Sequence, residues 1–273
     1  MIGRLLLGYG LAASALWFAV RAFGDGFSQA EAFTHELTGM QVVACMFFMA
    51  CHMLLNREGF VRLCAALSSG VGTGALRSAW GKSLLAKYVP GGIWMLVGRG
   101  ALLERSGASR RVAVVSGVME QMLSMLLCTV FAGLAFSLTP GNTLWGLLCA
   151  ALAAGTIFLM VVKTKRSATP VLVVAVVLYA AAMPFFLMAY AAVIQPKDLS
   201  LLASHLFAGT VSGMAAIVVP GGIGVREAVI GMLGSLEGAI APLAALMLVR
   251  VLTIGLEVVF NLIALAKRGS GSV

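Results

Sequence analysis

Charge is what this chain has least of. Only 11% of its 273 residues are Asp, Glu, Lys or Arg, and 61% are hydrophobic. A soluble domain carries about 25% charged residues. With a mean hydropathy of +1.03, the composition excludes a soluble enzyme and a disordered linker. It leaves room for roughly six to eight membrane spans of ~20 residues. No stretch is long and polar enough to form a separate soluble domain.

Catalytic and metal-binding signatures are missing as well. There is no HExxH, no P-loop and no Gly-x-Ser-x-Gly elbow. No aspartate falls inside an apolar run, which argues against an aspartyl intramembrane protease. The five cysteines (Cys45, Cys51, Cys64, Cys128, Cys149) include no CxxC pair, and Cys51-His52 has no partner at metal-ligand spacing. They read as small apolar packing residues. His35, His52 and His205 are scattered and suggest no catalytic group. Neither an enzyme nor a cofactor is expected.

What charge there is has a pattern. The net charge of +9 would suit nucleic acid, but the basic residues sit in short loops between apolar runs. Six runs are long enough to cross a bilayer, at roughly 5–23, 38–55, 112–137, 143–162, 169–193 and 239–265. Arg21 and Phe23 end the first run without a small-residue cleavage site, so it reads as an uncleaved span. With the N-terminus inside, the cytoplasmic segments hold 15 basic residues and two acids, Glu58 and Glu104. The outer segments hold Arg21 and Lys197 against Asp25, Glu31, Glu36, Asp198 and Glu237. Such an asymmetry is what the positive-inside rule demands. It predicts a multi-pass inner-membrane protein with both termini cytoplasmic.

Two regions are too short or too broken to span. Pro90-Gly91-Gly92 interrupts the apolar stretch between Lys87 and Arg99, and Pro220-Gly221-Gly222 interrupts 199–236. A half-helix of ~12 residues rises ~18 Å, to about the middle of a ~30 Å core. Both breaks therefore read as re-entrant hairpins, tolerated at that depth only against protein or a wet cavity. Each contains Val-Pro-Gly-Gly-Ile, at 89–93 and 219–223. Three spans separate them, so they enter from opposite faces. The expected fold is an all-α polytopic membrane protein: six transmembrane helices plus two re-entrant helical hairpins in an inverted-topology repeat. One embedded domain covers 1–268, with repeat 1 about 1–138 and repeat 2 about 139–268; 269–273 is a flexible tail.

Five ionisable residues fall within the apolar segments: Glu120, Arg226, Glu227, Arg250 and Glu257. Each costs about 2.5–3.5 kcal/mol at a helix centre, so they must face one another or a wet hollow. Thirty residues after each hairpin proline stand Glu120 and Arg250, which suggests that these two approach across the repeat axis. Arg250, Glu257 and Asn261 share one helical face, as do Ser116, Glu120 and Ser124. The alternative to a transport pathway is a set of ion pairs and interhelical hydrogen bonds that lock the helices. The returning half-helices start near Gly92 and Gly222 with free N–H groups. Arg226 sits beside the second, while Lys82, Lys87 and Arg99 flank the first, and the natural guest is an anion such as phosphate. Lys82 and Lys87 equally suit snorkelling to anionic lipid, Glu227 suits its own helix N-terminus, and Trp80, Tyr88 and Trp94 suit an interfacial belt.

Lys87-Tyr88-Val89-Pro90-Gly91-Gly92-Ile93-Trp94, together with Pro220-Gly221-Gly222-Ile223-Gly224-Val225-Arg226-Glu227, resembles the flippase-like integral membrane family. That family includes the transmembrane translocase part of the multiple peptide resistance factor, the bacterial lysylphosphatidylglycerol synthase/flippase. The resemblance covers nearly the whole chain and implies translocation between leaflets of a lipid with a polar head group, either a phospholipid or a polyprenyl-phosphate-linked glycan. The 273 residues hold no aminoacyl-transferase domain, so no lysyl transfer is expected of them. The expected partner is a lipid with a phosphate-containing head group, with a glycosyltransferase or lipid-synthesis enzyme as a further partner and no nucleic acid. Two other readings stand beside this one: a secondary transporter of a small anion, and a non-transporting membrane subunit of a glycosyltransferase or lipid-modifying complex.

Overall fold

A computed structural model of the protein describes residues 37–89, 93–216, 220–222, 224–236 and 243–266. The first apolar run (5–23), Pro90-Gly91-Gly92 and the tail at 269–273 lie outside them. Among the described residues there are nine α-helices and no strands: α1 (Gly39–Ala66), α2 (Thr73–Ser83), α3 (Trp94–Arg105), α4 (Arg110–Ser137), α5 (Thr143–Val162), α6 (Thr169–Ile194), α7 (Leu199–Ala215), α8 (Val225–Leu236) and α9 (Leu243–Ala266). Leu84–Tyr88 and Pro220–Gly222 form 3-10 turns.

Five of these helices (α1, α4, α5, α6 and α9) are long and apolar enough to cross a membrane. A helix satisfies every backbone polar group within itself, as hydrocarbon requires. The other four have 11, 12, 17 and 12 residues, three well short of a span and α7 at its lower limit. They come as two pairs, α2 with α3 and α7 with α8, joined across the two Pro-Gly-Gly segments. Polar residues start several helices. Thr38 and Gln41 form a capping box on α1, Ser109 accepts from Val112 N on α4, and Asp198 accepts from Ser200 N and Leu201 N on α7. A bond from the Ser200 hydroxyl, with those two backbone bonds, holds the exposed Asp198 carboxyl below its ordinary value.

The two halves pack alike. α1 against α6 is the most extensive contact. The contacts α4–α7, α2–α3, α3–α4, α1–α2, α4–α6 and α1–α4 each have a counterpart in α9–α2, α7–α8, α8–α9, α6–α7, α9–α1 and α6–α9. Among the α-helix contacts of the described residues, only α4–α5 and α5–α6 lack one, and their counterparts would involve 5–23; the Leu84–Tyr88 turn also meets α3 and α9, which the Pro220–Gly222 turn does not match against α8 and α4.

α1 and α6 run antiparallel. Phe48 lies against Phe185 and His52 against Phe186. A Cβ on Gly59 would touch the Tyr179 ring at 2.8 Å. Further along, Leu63 and Ala66 cluster with Leu172 and Ala175. Numbers rise along one helix as they fall along the other. Elsewhere small residues bring backbones together: a Cβ on Gly133 would meet Gly146 O at 2.7 Å and Ala150 N at 2.8 Å, the close approach typical of membrane helix pairs.

Candidate functional site

The two 3-10 turns touch. Gly221, with φ +58°, lies so close to Tyr88 that a Cβ there would stand 3.0 Å from its ring. Gly222 (φ +65°) is pressed onto α7, where a Cβ would come within 2.5 Å of Gly213 O. Both positions demand glycine, for backbone conformation and for space. The Arg250 Nη2 group donates to the Gly221 carbonyl, so α9 grips the second turn. α9 grips the first half as well. Asn261 Nδ2 donates to the carbonyls of Gly81 (3.2 Å) and Lys82 (3.1 Å). One turn away, Glu257 pairs with Lys87 Nζ at 2.5 Å. The polar stripe on α9 thus ties both breaks to a single helix.

Beside the touching turns is a cavity of about 650 Å³, well within the size of small-molecule sites. Four basic side chains line it (Lys87, Arg99, Arg226 and Arg250), and so do two acids, Glu120 and Glu257. Methionines from α1, α4 and α6, among them Met49, Met53, Met125 and Met183, supply much of the apolar wall, a soft and adaptable surface.

The charges are mostly matched. Arg99 Nη1 bonds Glu120 Oε2, Trp80 Nε1 donates to Glu120 Oε1 at 3.1 Å, and Arg99 Nε donates to Ser83 Oγ at 2.8 Å. Arg226 bonds the Tyr190 hydroxyl, and its Nε stands 3.4 Å from Glu227 Oε1. Glu227 turns its other oxygen back onto Gly224 N at 2.8 Å, complementing its own helix N-terminus. Arg250 differs: among the described residues it has no carboxylate at ion-pairing distance, and its buried Nε has no hydrogen-bond partner. Glu257 Oε2 is likewise buried without one. Counting Glu227 behind Arg226, the described residues of the site hold four cations and three anions, and among them the unmatched cation is Arg250.

Several sequence expectations need correction. Glu120 and Arg250 do not pair: both face the cavity, but Glu120 is taken by Arg99 and Trp80. Arg99 is not a loop charge. It is 2% exposed, inside the bundle and stacked on Phe60; sequence reasoning set it beside the first break but not among the residues expected to carry translocation. Burying Glu120 calls for a cation partner, and that need was the available signal. Trp80 is no surface anchor, being buried with its indole N–H on Glu120, whereas Trp94 is 41% exposed. Lys87 reaches Glu257 rather than the surface. Lys82 does not line the cavity, while Gly221 and Gly222 do; Pro220 opens the second turn. His52 Nδ1 lies 2.9 Å from the Ala182 carbonyl and its ring lines the cavity. Among the described residues no His, Cys, Asp and Glu cluster suits a metal ion.

Comparison with protein families, with curated proteins and with solved structures finds no match for the chain.

Proposed function

We propose that the protein is a lipid translocase, moving an anionic or phosphate-bearing lipid between the leaflets of the inner membrane. The observation that carries this reading is Arg250: a buried guanidinium with an unpartnered Nε and, among the described residues, no acid opposite it, at the contact of two glycine turns, in a cavity large enough for a head group. A buried unpaired cation is costly, and an oxyanion bound there offsets that cost with charge-assisted bonds. In this reading the head group occupies the cavity while acyl or prenyl tails stay in the bilayer. Ile93, at the cavity wall, is 49% exposed and apolar, which suits a lateral opening toward lipid.

Two features support an inverted repeat. The α-helix contacts whose counterparts involve described helices occur twice, and the equivalent helices α1 and α6 are antiparallel, as an axis in the membrane plane requires. On this reading 5–23 is a sixth span, α2–α3 and α7–α8 are re-entrant hairpins entering from opposite faces, and both termini are cytoplasmic. Rocking of one half against the other alternates access. The sequence resemblance to flippase-like membrane proteins agrees with the same function.

The test is reconstitution in liposomes carrying head-group-labelled phospholipids or a polyprenyl-phosphate sugar. The expected result is protein-dependent translocation, lost in Arg250→Ala. Translocation of a soluble anion with no lipid movement would favour the small-anion transporter, and activity only with a bound synthase would favour the accessory-subunit reading.

A further inference from the structure

α1 and α6 provide a ruler for depth. They meet where His52 bonds Ala182, residues 130 apart, and they run in opposite directions. Phe60 lies eight residues beyond His52, and Tyr190 eight beyond Ala182. At 1.5 Å per residue, each ring is ~12 Å from the meeting point, on opposite sides of it. Each ring carries an arginine from the short helices of its own half. The Arg99 guanidinium is 4.8 Å from the Phe60 centroid, and that of Arg226 is 5.3 Å from the Tyr190 centroid. Both arginines line the cavity, with Lys87 and Arg250 between them at the touching turns. A ~30 Å core is thus punctuated by cations near its two boundaries and at its centre.

The two ends are in different states. Arg99 is closed off: Glu120 holds one nitrogen, Ser83 another, and Trp80 anchors the second Glu120 oxygen. Arg226 is held more loosely, by the Tyr190 hydroxyl and by Glu227. Its Nε and Glu227 Oε1 are 3.4 Å apart, and both are buried without a hydrogen bond. A carboxylate on a guanidinium occupies the place that a phosphate oxyanion would take. Glu120 is then a tethered competitor for the ligand.

We propose that Arg99 and Arg226 are two oxyanion stations, one in each half of the membrane, exchanging a phosphate-type group through Arg250, with Glu120 shutting the Arg99 station while the more loosely held Arg226 station admits the ligand. This rests on the translocation reading above. The ligand class is a phosphate ester or phosphate ion, whether carried on a lipid or free.

The experiment uses the full chain freed of its five cysteines, reconstituted in one orientation in phosphatidylcholine vesicles, with a membrane-impermeant maleimide applied from either face. Thr210→Cys reports the Arg226 end, because Gly209 and Gly213 on either side of it abut Arg226. Gln121→Cys reports the Arg99 end, next to Glu120. The expected result is that Thr210→Cys reacts from one face only and Gln121→Cys from neither. Adding Glu120→Gln opens Gln121→Cys to the opposite face, with a rise in rate of about tenfold, the scale of one charge-assisted bond. Inorganic phosphate slows Thr210→Cys labelling if the free ion is the ligand, and phosphatidylglycerol added to the vesicles slows it if the lipid is. Circular dichroism confirms that each variant is folded, and Glu120→Asp replaces Glu120→Gln if that variant fails. Reaction of both cysteines from the same face, no effect of Glu120→Gln, or no protection by either phosphate probe overturns the stations. Opposite-face labelling with protection but no lipid movement keeps the stations and sinks the lipid reading.

Discussion

His52 and Ala182 occupy matching places in the two halves and touch each other, imidazole Nδ1 to carbonyl at 2.9 Å. With His52 Nδ1 as the donor, Nε2 is left to accept from Asn56 Nδ2 at 3.0 Å. A contact between a residue and its own counterpart occurs only on the axis that relates two halves. Under the proposed inverted repeat, this pair lies where its axis crosses the main helix interface.

Arg250→Gln should cut translocation by roughly tenfold to a hundredfold, the loss expected when a charged hydrogen-bonding partner of an anion is removed. Arg250→Lys should recover only part of it, because a point charge lacks the planar fork. Initial rates in head-group-labelled liposomes decide. Wild-type rates in the Gln variant would remove Arg250 from the path.

Gly222→Ala should destabilise the protein by about 1–3 kcal/mol from its left-handed backbone alone, and by more from the collision with the Gly213 carbonyl. Thermal unfolding in detergent measures it. Gly224→Ala, also at positive φ (+87°) but with open space where a Cβ would go, should cost less than Gly222→Ala.

Breaking the Arg99–Glu120 pair from one side should cost about 3–5 kcal/mol, since it strands a buried charge. The double variant Arg99→Met, Glu120→Leu should be less harmful than the two single changes added together. A matching cycle on Glu120 and Arg250 should show a smaller coupling, because those residues are not bonded to each other. Equal couplings would contradict the pairing described above.

Lys165→Cys and Lys197→Cys flank α6, whose 26 residues rise about 39 Å, enough to cross a bilayer. In sealed vesicles they should react with an impermeant thiol reagent from opposite faces, 165 from the cytoplasmic one. Reaction from a single face would rule out α6 as a span.

The long helices were legible from hydropathy. The run at 143–162 coincides with α5, and 169–193 falls one residue short of the end of α6. α1 is the exception, since it continues to Ala66 while the apolar run stops near 55. Asn56, Arg57, Glu58 and Arg62 end the apolar character there but not the hydrogen-bond ladder, which polar side chains do not interrupt. The breaks were legible because proline and glycine act on the backbone locally. Partner choice was not, because it depends on which helices lie side by side. Counting thirty residues from each proline set Glu120 opposite Arg250, yet the short α3 places Arg99 nearer. Hydropathy scores a lysine or arginine alike whether it faces water or, as Arg99 does, an aromatic ring and a carboxylate.

The antiparallel match of α1 and α6 also bears on how such a chain arises. A half-length ancestor able to build this interface with a second copy of itself has to insert both ways up. Once the halves are fused, each must settle on one orientation. Under the proposed topology the arginines and lysines gather on one side and would enforce that choice, so reversing those charges should scramble assembly before it touches the cavity.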